Sequence, residues 1–188
     1  MISIQKKIIR FRELALLNKV FSVIFFSLVM GLFSGVRIYL PWTEVPVTLQ
    51  TLGIFLAPLF IAEYAFFSTL LYLVLAGLGI FTFSGGSGWH YFLGPTGGYL
   101  LGFLIASAFL GSSLRSAKNR SFFRALGLFA VADLFLIYLP GLVWYRCWRG
   151  SGDWMLLMRN TVLPFIPGDL LKAVLPISIF SHWFSERD

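Results

Sequence analysis

Asp169 and Lys172 have the residue types and spacing to do chemistry together. They stand three apart in the segment Pro164 to Ala173, which is otherwise free of charge. A proline near the first turn is preorganised for a helix start, and on that helix positions i and i+3 share one face. The carboxylate can accept from N–H groups and the ammonium can donate to carbonyl or carboxylate oxygens, in charge-assisted hydrogen bonds that are the strong ones. Ionisable groups in apolar surroundings are costly and mark a functional site by default, the alternative being an internal pair that merely cancels itself. Asp133 is a further acid in the middle of an apolar run, paired with Lys172 from another part of the fold or reached by water.

The elements that must position these residues follow from composition. Of 188 residues, 58% are apolar and 12% charged, whereas soluble chains average about 45–50% and 25%. Mean hydropathy is +0.83. A body this small keeps a large surface, so 21 Phe and the other apolar residues cannot all be packed inside, and lipid covers the remainder. Apolar runs suited to crossing a membrane occur at Val20 to Val36, about Gln50 to Ala62, Tyr64 to about Phe83, roughly Thr96 to Leu114, Ala125 to Tyr145 with a bending Pro140, and Pro164 or Pro167 to His182. No small-x-small cleavage site follows the first run, which reads as a retained helix. The expectation is an all-α integral membrane protein, one domain over residues 1–188 built as a bundle of six transmembrane helices.

Lys and Arg set the orientation, since short cytoplasmic loops hold the excess of positive charge. Ten gather on one side: five in the basic segment 1–19, four in the loop Gly111 to Arg124 (Arg115, Lys118, Arg120, Arg124), and Arg187. Four fall on the other side: Arg37, Arg146, Arg149 and Arg159. Both termini are therefore expected in the cytoplasm, with the protein in the cytoplasmic (inner) membrane. The net charge of +7 sits at the ends of apolar runs and is not interleaved on one face, so nucleic acid is excluded as a partner. A single cysteine, Cys147, excludes an internal disulfide framework and a multi-cysteine metal site, and no cofactor is expected.

Two external loops are unusual. Pro41 to Thr51 has two prolines that enforce extended backbone and lead Thr48, Gln50 and Thr51 toward the membrane. Ser84 to Tyr99 is dense in glycine, including Gly86, which lets backbone approach a ligand, and it holds Trp89, His90, Thr96 and Tyr99. Polar backbone at this depth is tolerated where it lines a cavity. Either loop alone reads as a turn. Two on one side, both rich in aromatics, read as extracellular loops capping a ligand pocket.

These residues carry a resemblance. VPVTLQT, Tyr72-Leu73 with Gly77-x-Gly79, GGSGW, GPTGGYLLGF, the spacing Tyr138-x-x-Gly141-x-x-Trp144, and PFIPGDLLKA occur in that order over nearly the whole chain. The sequence resembles the BioY family, the biotin-binding S components of energy-coupling factor (ECF) vitamin transporters. The resemblance implies a six-helix fold with an outward-facing biotin pocket, high-affinity biotin uptake, and coupling to a transmembrane scaffold subunit of the EcfT type with two ABC-type ATPases. The family's polar Asn after the third helix is replaced here by Ser84 and glycines, and Asp133 has no counterpart in its pattern. Biotin's chemistry fits. Asp169 can accept from the urea N–H groups, Lys172 can donate to the urea oxygen or to the carboxylate, and Trp89, Tyr99 and Trp144 are candidate walls. Thr48, Gln50, Gly86 and Thr96 complete the expected contacts.

Other functions need other residues. Gly85 to Gly88 reads G-x-S-G and resembles the serine motif of rhomboid intramembrane proteases, but Ser87 is external and His182 lies at the opposite end of the last helix, beyond the hydrogen-bond reach a nucleophile and base require. No Lys follows a Gly, so the phosphate-binding loop of an ATPase is absent and nucleotide must act on a partner. A self-sufficient biotin carrier is the alternative within transport. Ser27, Gly31 and Gly35 form a small-residue stripe on helix one. In the family a comparable motif meets the scaffold, and packing within the bundle is an equal alternative.

Overall fold

The computed structural model of the protein describes residues 2–43, 45–83, 85–115, 122–150 and 152–185, with side chains from Leu14 to Ser178. Ser84, Lys118, Arg120 and Arg187, and the side chains of Lys6, Lys7, Arg10, Arg12 and His182, lie outside the described residues.

Helix α1 (Ile2–Gly35) begins long before its expected start at Val20, and its apolar spanning part is Leu14–Gly35. Lys19 is tolerated in this part because its long stem carries the ammonium over the Tyr64 ring, 4.9 Å from the centroid. Helices α2 (Gln50–Ile61) and α3 (Ala65–Gly77) are joined by the tight turn Ala62–Tyr64. The 28 residues Gln50–Gly77 are apolar enough to cross a membrane despite the charge at Glu63, yet the Gln50 amide donates to the Tyr72 hydroxyl at 2.6 Å. In one continuous helix those residues would lie about 33 Å apart, so the chain reverses between them. Ala62 supplies the reversal with φ +46, a conformation few non-glycine residues adopt. The third run ends at Gly77, earlier than the expected Phe83, because Gly79 turns the chain with φ +87.

Helix α4 (Gly97–Arg115) is the central post, its Leu100, Ala106 and Leu110 fully buried. Gly98 and Gly102, four apart, let it approach the following strut closely. A Cβ at Gly98 would sit 2.4 Å from the Pro140 carbonyl oxygen, and one at Gly102 2.5 Å from that of Leu136. That strut is α5 (Phe122–Val131), a π-helical segment (Ala132–Tyr138) and α6 (Leu139–Arg149) in succession. Pro140 has no N–H to give the Leu136 carbonyl, and Gly102 packs against that carbonyl. At the end of α4, Arg115 pairs with Glu63 at 2.7 Å beside the Ala62 turn.

The loop after the strut contains a short helix the sequence reading missed, α7 (Trp154–Thr161), capped by Asp153 accepting from the Leu156 N–H. It bends by 46° into α8 (Ile166–Ser185). Strands β1 (Arg37–Ile38) and β2 (Val47–Thr48) pair antiparallel, pinning the loop before α2 as a hairpin. The all-helical membrane architecture is as expected, with α1, α2, α3, α4, the α5–α6 strut and α8 as six crossings.

Candidate ligand-binding site

Five elements converge on one cavity of roughly 460 Å³: the β-hairpin, α2, α4, the π-helical segment and α8. Asp169 and Lys172 sit in its wall, 4% and 8% exposed, bonded to each other at 2.6 Å. The helical i, i+3 spacing read from the sequence produces this pair. Asp169 Oδ1 also accepts from the Thr51 hydroxyl at 2.6 Å, and Oδ2 accepts from the Tyr138 hydroxyl. Lys172 further donates to the Thr48 carbonyl at 2.7 Å and to Thr51 Oγ1 at 3.2 Å. An ammonium has three donors, and all three are used. The Thr48 bond ties the hairpin to α8, so the hairpin and the charged pair are mechanically one unit.

A second chain of bonds holds the hairpin to α3. The Thr48 hydroxyl donates to Gln50 Oε1 at 2.9 Å, Gln50 donates to Tyr72, and Tyr72 donates to the Thr82 carbonyl at 3.0 Å. Thr96, at the head of α4, is 4% exposed and lines the cavity, and its hydroxyl has no partner among the described residues. Buried polar groups are nearly always bonded, so this hydroxyl offers a ligand a free polar valence, beside Asp169 Oδ2, which accepts one bond from Tyr138 and has capacity for another. Apolar walls come from Leu100, Phe103, Ile137 and Phe165, with Val45 to Val47 as the roof.

The structure brings together Asp169, Lys172, Thr48, Gln50, Thr96 and Tyr99 around this cavity. Tyr99 contributes its ring, and its hydroxyl donates to the Thr161 carbonyl at 2.8 Å, fixing α7 to α4. Gly86, Trp89 and Trp144 are not among its lining residues. Gly86 lies against Tyr91, where a Cβ would come within 2.3 Å of the ring. Trp89 is 54% exposed, stacks on Phe92 and covers Gly77. Trp144 packs over Gly97 and Gly98, and its indole N–H donates to the Gly94 carbonyl at 2.9 Å, so it holds the turn that presents Thr96.

Thr51, expected as a polar group led toward the membrane, and Tyr138, a motif position, are not among the expected contacts, yet both bond Asp169 directly. Phe103 and Phe165 also stand within the quoted motifs without being expected contacts, and both line the cavity. An aromatic every few residues is unremarkable in a chain with 21 Phe, so type alone cannot separate a wall from a lipid-facing ring. Lys172 pairs with Asp169, and the expected alternative of an Asp133–Lys172 pair is not formed. The stripe on α1 divides between the two alternatives. Ser27 is fully buried, and a Cβ on Gly31 would come within 2.6 Å of the Phe81 ring, so these two serve packing inside the bundle. Gly35 alone faces open space.

Comparison with known proteins gives a consistent result. A model described as the BioY family matches residues 5–186. A probable biotin transporter BioY of Methanothermobacter thermautotrophicus is 43% identical over 113 residues, spanning 56% of this chain and 71% of that protein. The biotin transporter BioY2 of Lactococcus lactis subsp. cremoris is 36% identical over 143 residues, spanning 75% and 76%. A crystal structure of the S-component for biotin from an ECF-type ABC transporter superposes with a TM-score of 0.76 at 26% identity, covering 90% of this chain and 92% of that one.

Proposed function

The chain belongs to the BioY family, and from that premise we propose that it captures biotin from outside the cell and delivers it inward as the substrate-binding S component of an ECF-type transporter. It is a membrane protein and a transporter rather than an enzyme. The observation that carries the substrate reading is the buried Asp169–Lys172 pair opening on a largely apolar cavity beside the unpartnered Thr96 hydroxyl. Biotin presents two urea N–H donors, a urea carbonyl, an apolar thioether ring, an aliphatic chain and a carboxylate. Asp169 Oδ2 accepts from the urea, the Thr96 hydroxyl gains a partner, and the ring lies against Phe103, Phe165 and Tyr99.

Lys172 reaches its ligand group, urea oxygen or carboxylate, only by exchanging one of its present acceptors. The Thr48 carbonyl on the hairpin is one of those acceptors, so exchanging it would link ligand arrival to movement of the hairpin. Such lids gate exchange. Comparing biotin with its carboxamide on wild type and Lys172→Met distinguishes the two contacts: equal losses for both ligands assign Lys172 to the urea, and a loss confined to biotin assigns it to the carboxylate.

In this reading the protein lies in the cytoplasmic membrane with both termini inside, supported by the Lys and Arg bias and by Lys19 and Arg115 sharing one end of the bundle with Glu63. Its partners are a transmembrane scaffold and two ATPases, supported by the kind of assembly to which the matched S-component belongs. Native mass spectrometry of the purified chain mixed with biotin tests the substrate. One-to-one binding that a large excess of an unrelated vitamin leaves intact is expected, and no adduct at any concentration overturns the reading.

A further inference from the structure

Beside the pocket, a second cavity of about 400 Å³ lies between α5, the π-helical segment and α8, with the half-exposed Leu134 and Leu170 at its edge. Asp133 and Asp169 both reach it, and its other walls, such as Phe55 and Phe129, are apolar. Asp133 is 8% exposed, and its Oδ1 has no hydrogen-bond partner among the described residues. On an α-helix residues five apart point about 140° away from each other. The i→i+5 bonding of the π-helical segment stacks them instead, which sets the Tyr138 hydroxyl within hydrogen-bonding reach of Asp133 while it donates to Asp169. Among the described residues one cation, Lys172, thus faces two carboxyl groups. A bare second carboxylate at this depth in a membrane is costly.

We propose that Asp133 is a proton-binding site whose occupancy sets ligand affinity: with the proton on, the Asp133 carboxyl donates to the Tyr138 oxygen, and the single Tyr138 proton is committed to Asp169. Loss of that proton to water leaves two carboxylates competing for one phenolic proton and adds a negative charge beside a pocket that receives an anion. Among the described residues, the charged and titratable groups facing Asp133 are Tyr138 from its own segment and Asp169 and Lys172 from α8. Helices α2 and α5 turn Phe55 and Phe129 toward it, α4 carries Tyr99 on the pocket side, and Arg124 is exposed nine residues earlier. A metal cation is the poorer occupant, because hard cations take six or more oxygens and this cavity adds only apolar groups to the two carboxyls and the phenol.

The affinity part rests on the biotin reading, and the proton itself does not. Infrared spectra of the ligand-free protein in nanodiscs, with and without isotope-labelled aspartate, are expected to show a protonated-carboxyl stretch at neutral pH that shifts with the label. The band is expected to vanish in Asp133→Asn. Its absence from the wild type overturns the proposal whether or not biotin binds, and needs no variant to fold. From mildly acid to alkaline pH, biotin affinity is expected to fall about tenfold in wild type, as an added charge near an anion predicts, and to stay at its low-pH value in Asp133→Asn. An equal fall in the variant, or a dependence on sodium at fixed pH, overturns the coupling.

Discussion

Replacing Lys172 with Met in the ligand-free protein removes three donors at once, those to Asp169, the Thr48 carbonyl and Thr51. Asp169 then remains 4% exposed with only the neutral hydroxyls of Thr51 and Tyr138 to offset its charge. Breaking a buried ion pair from one side costs about 3–5 kcal/mol, which for a chain of this size lowers Tm by roughly 6–20 °C. Asp169→Leu strands Lys172 with two acceptors, and its cost falls at the lower end of the same range. In the double variant no charge is left, and the loss reduces to two neutral hydroxyls giving up one hydrogen bond each, about 1 kcal/mol apiece. The double variant is therefore expected to be at least as stable as either single one, with a coupling of about 3 kcal/mol or more. Thermal unfolding of all four proteins in nanodiscs measures the cycle. Additive losses refute the reasoning, because they mean that neither partner compensates the other.

The packing makes further outcomes specific. Gly31→Leu drives carbon into the Phe81 ring, so stability and biotin binding are expected to fall together, by about 1–3 kcal/mol in stability, whereas Gly35→Leu, in open space, leaves both unchanged; thermal shift and ligand titration read both. Gly102→Val meets backbone of the π-helical segment rather than a movable side chain, and expression as folded monomer is expected to be lost where Gly127→Val, also in open space, retains it. Trp144→Phe keeps a ring over α4 but drops the bond to the Gly94 carbonyl, about 1 kcal/mol; stopped-flow release of biotin is expected to quicken severalfold through the loosened Thr96 turn. Trp89→Ala is expected to leave biotin affinity within about twofold while Thr96→Val lowers it about tenfold, the ratio a good hydrogen bond commands.

What the sequence exposed, it exposed through rules that act locally. The Asp169–Lys172 pair was legible because charge is rare in an apolar run and helical spacing fixes a shared face. The crossings were legible from hydropathy, and the reversal near Ala62 from Glu63, although no residue-level rule predicts a non-glycine at φ +46 there. Long-range geometry was not legible. Nothing local to Trp89 or Trp144 says that one covers Gly77 and the other braces Gly94, because an aromatic at a helix end reads the same as an interface anchor or a wall. The stripe of Ser27, Gly31 and Gly35 has one spacing but two environments, decided by where the loop after α3 lays Phe81. The π-helical segment left no mark beyond Pro140. It alone aligns Asp133 with Tyr138, so the link between them could not be seen from spacing five.

Isothermal titration of biotin into the nanodisc-embedded wild type, Asp169→Asn and Lys172→Ala decides whether this pair holds the ligand. The wild type is expected to bind one biotin per chain, with affinity lowered at least about a hundredfold in each variant, as loss of a charge-assisted hydrogen bond with a stranded partner requires. Binding of biotin by both variants with the wild-type affinity contradicts it.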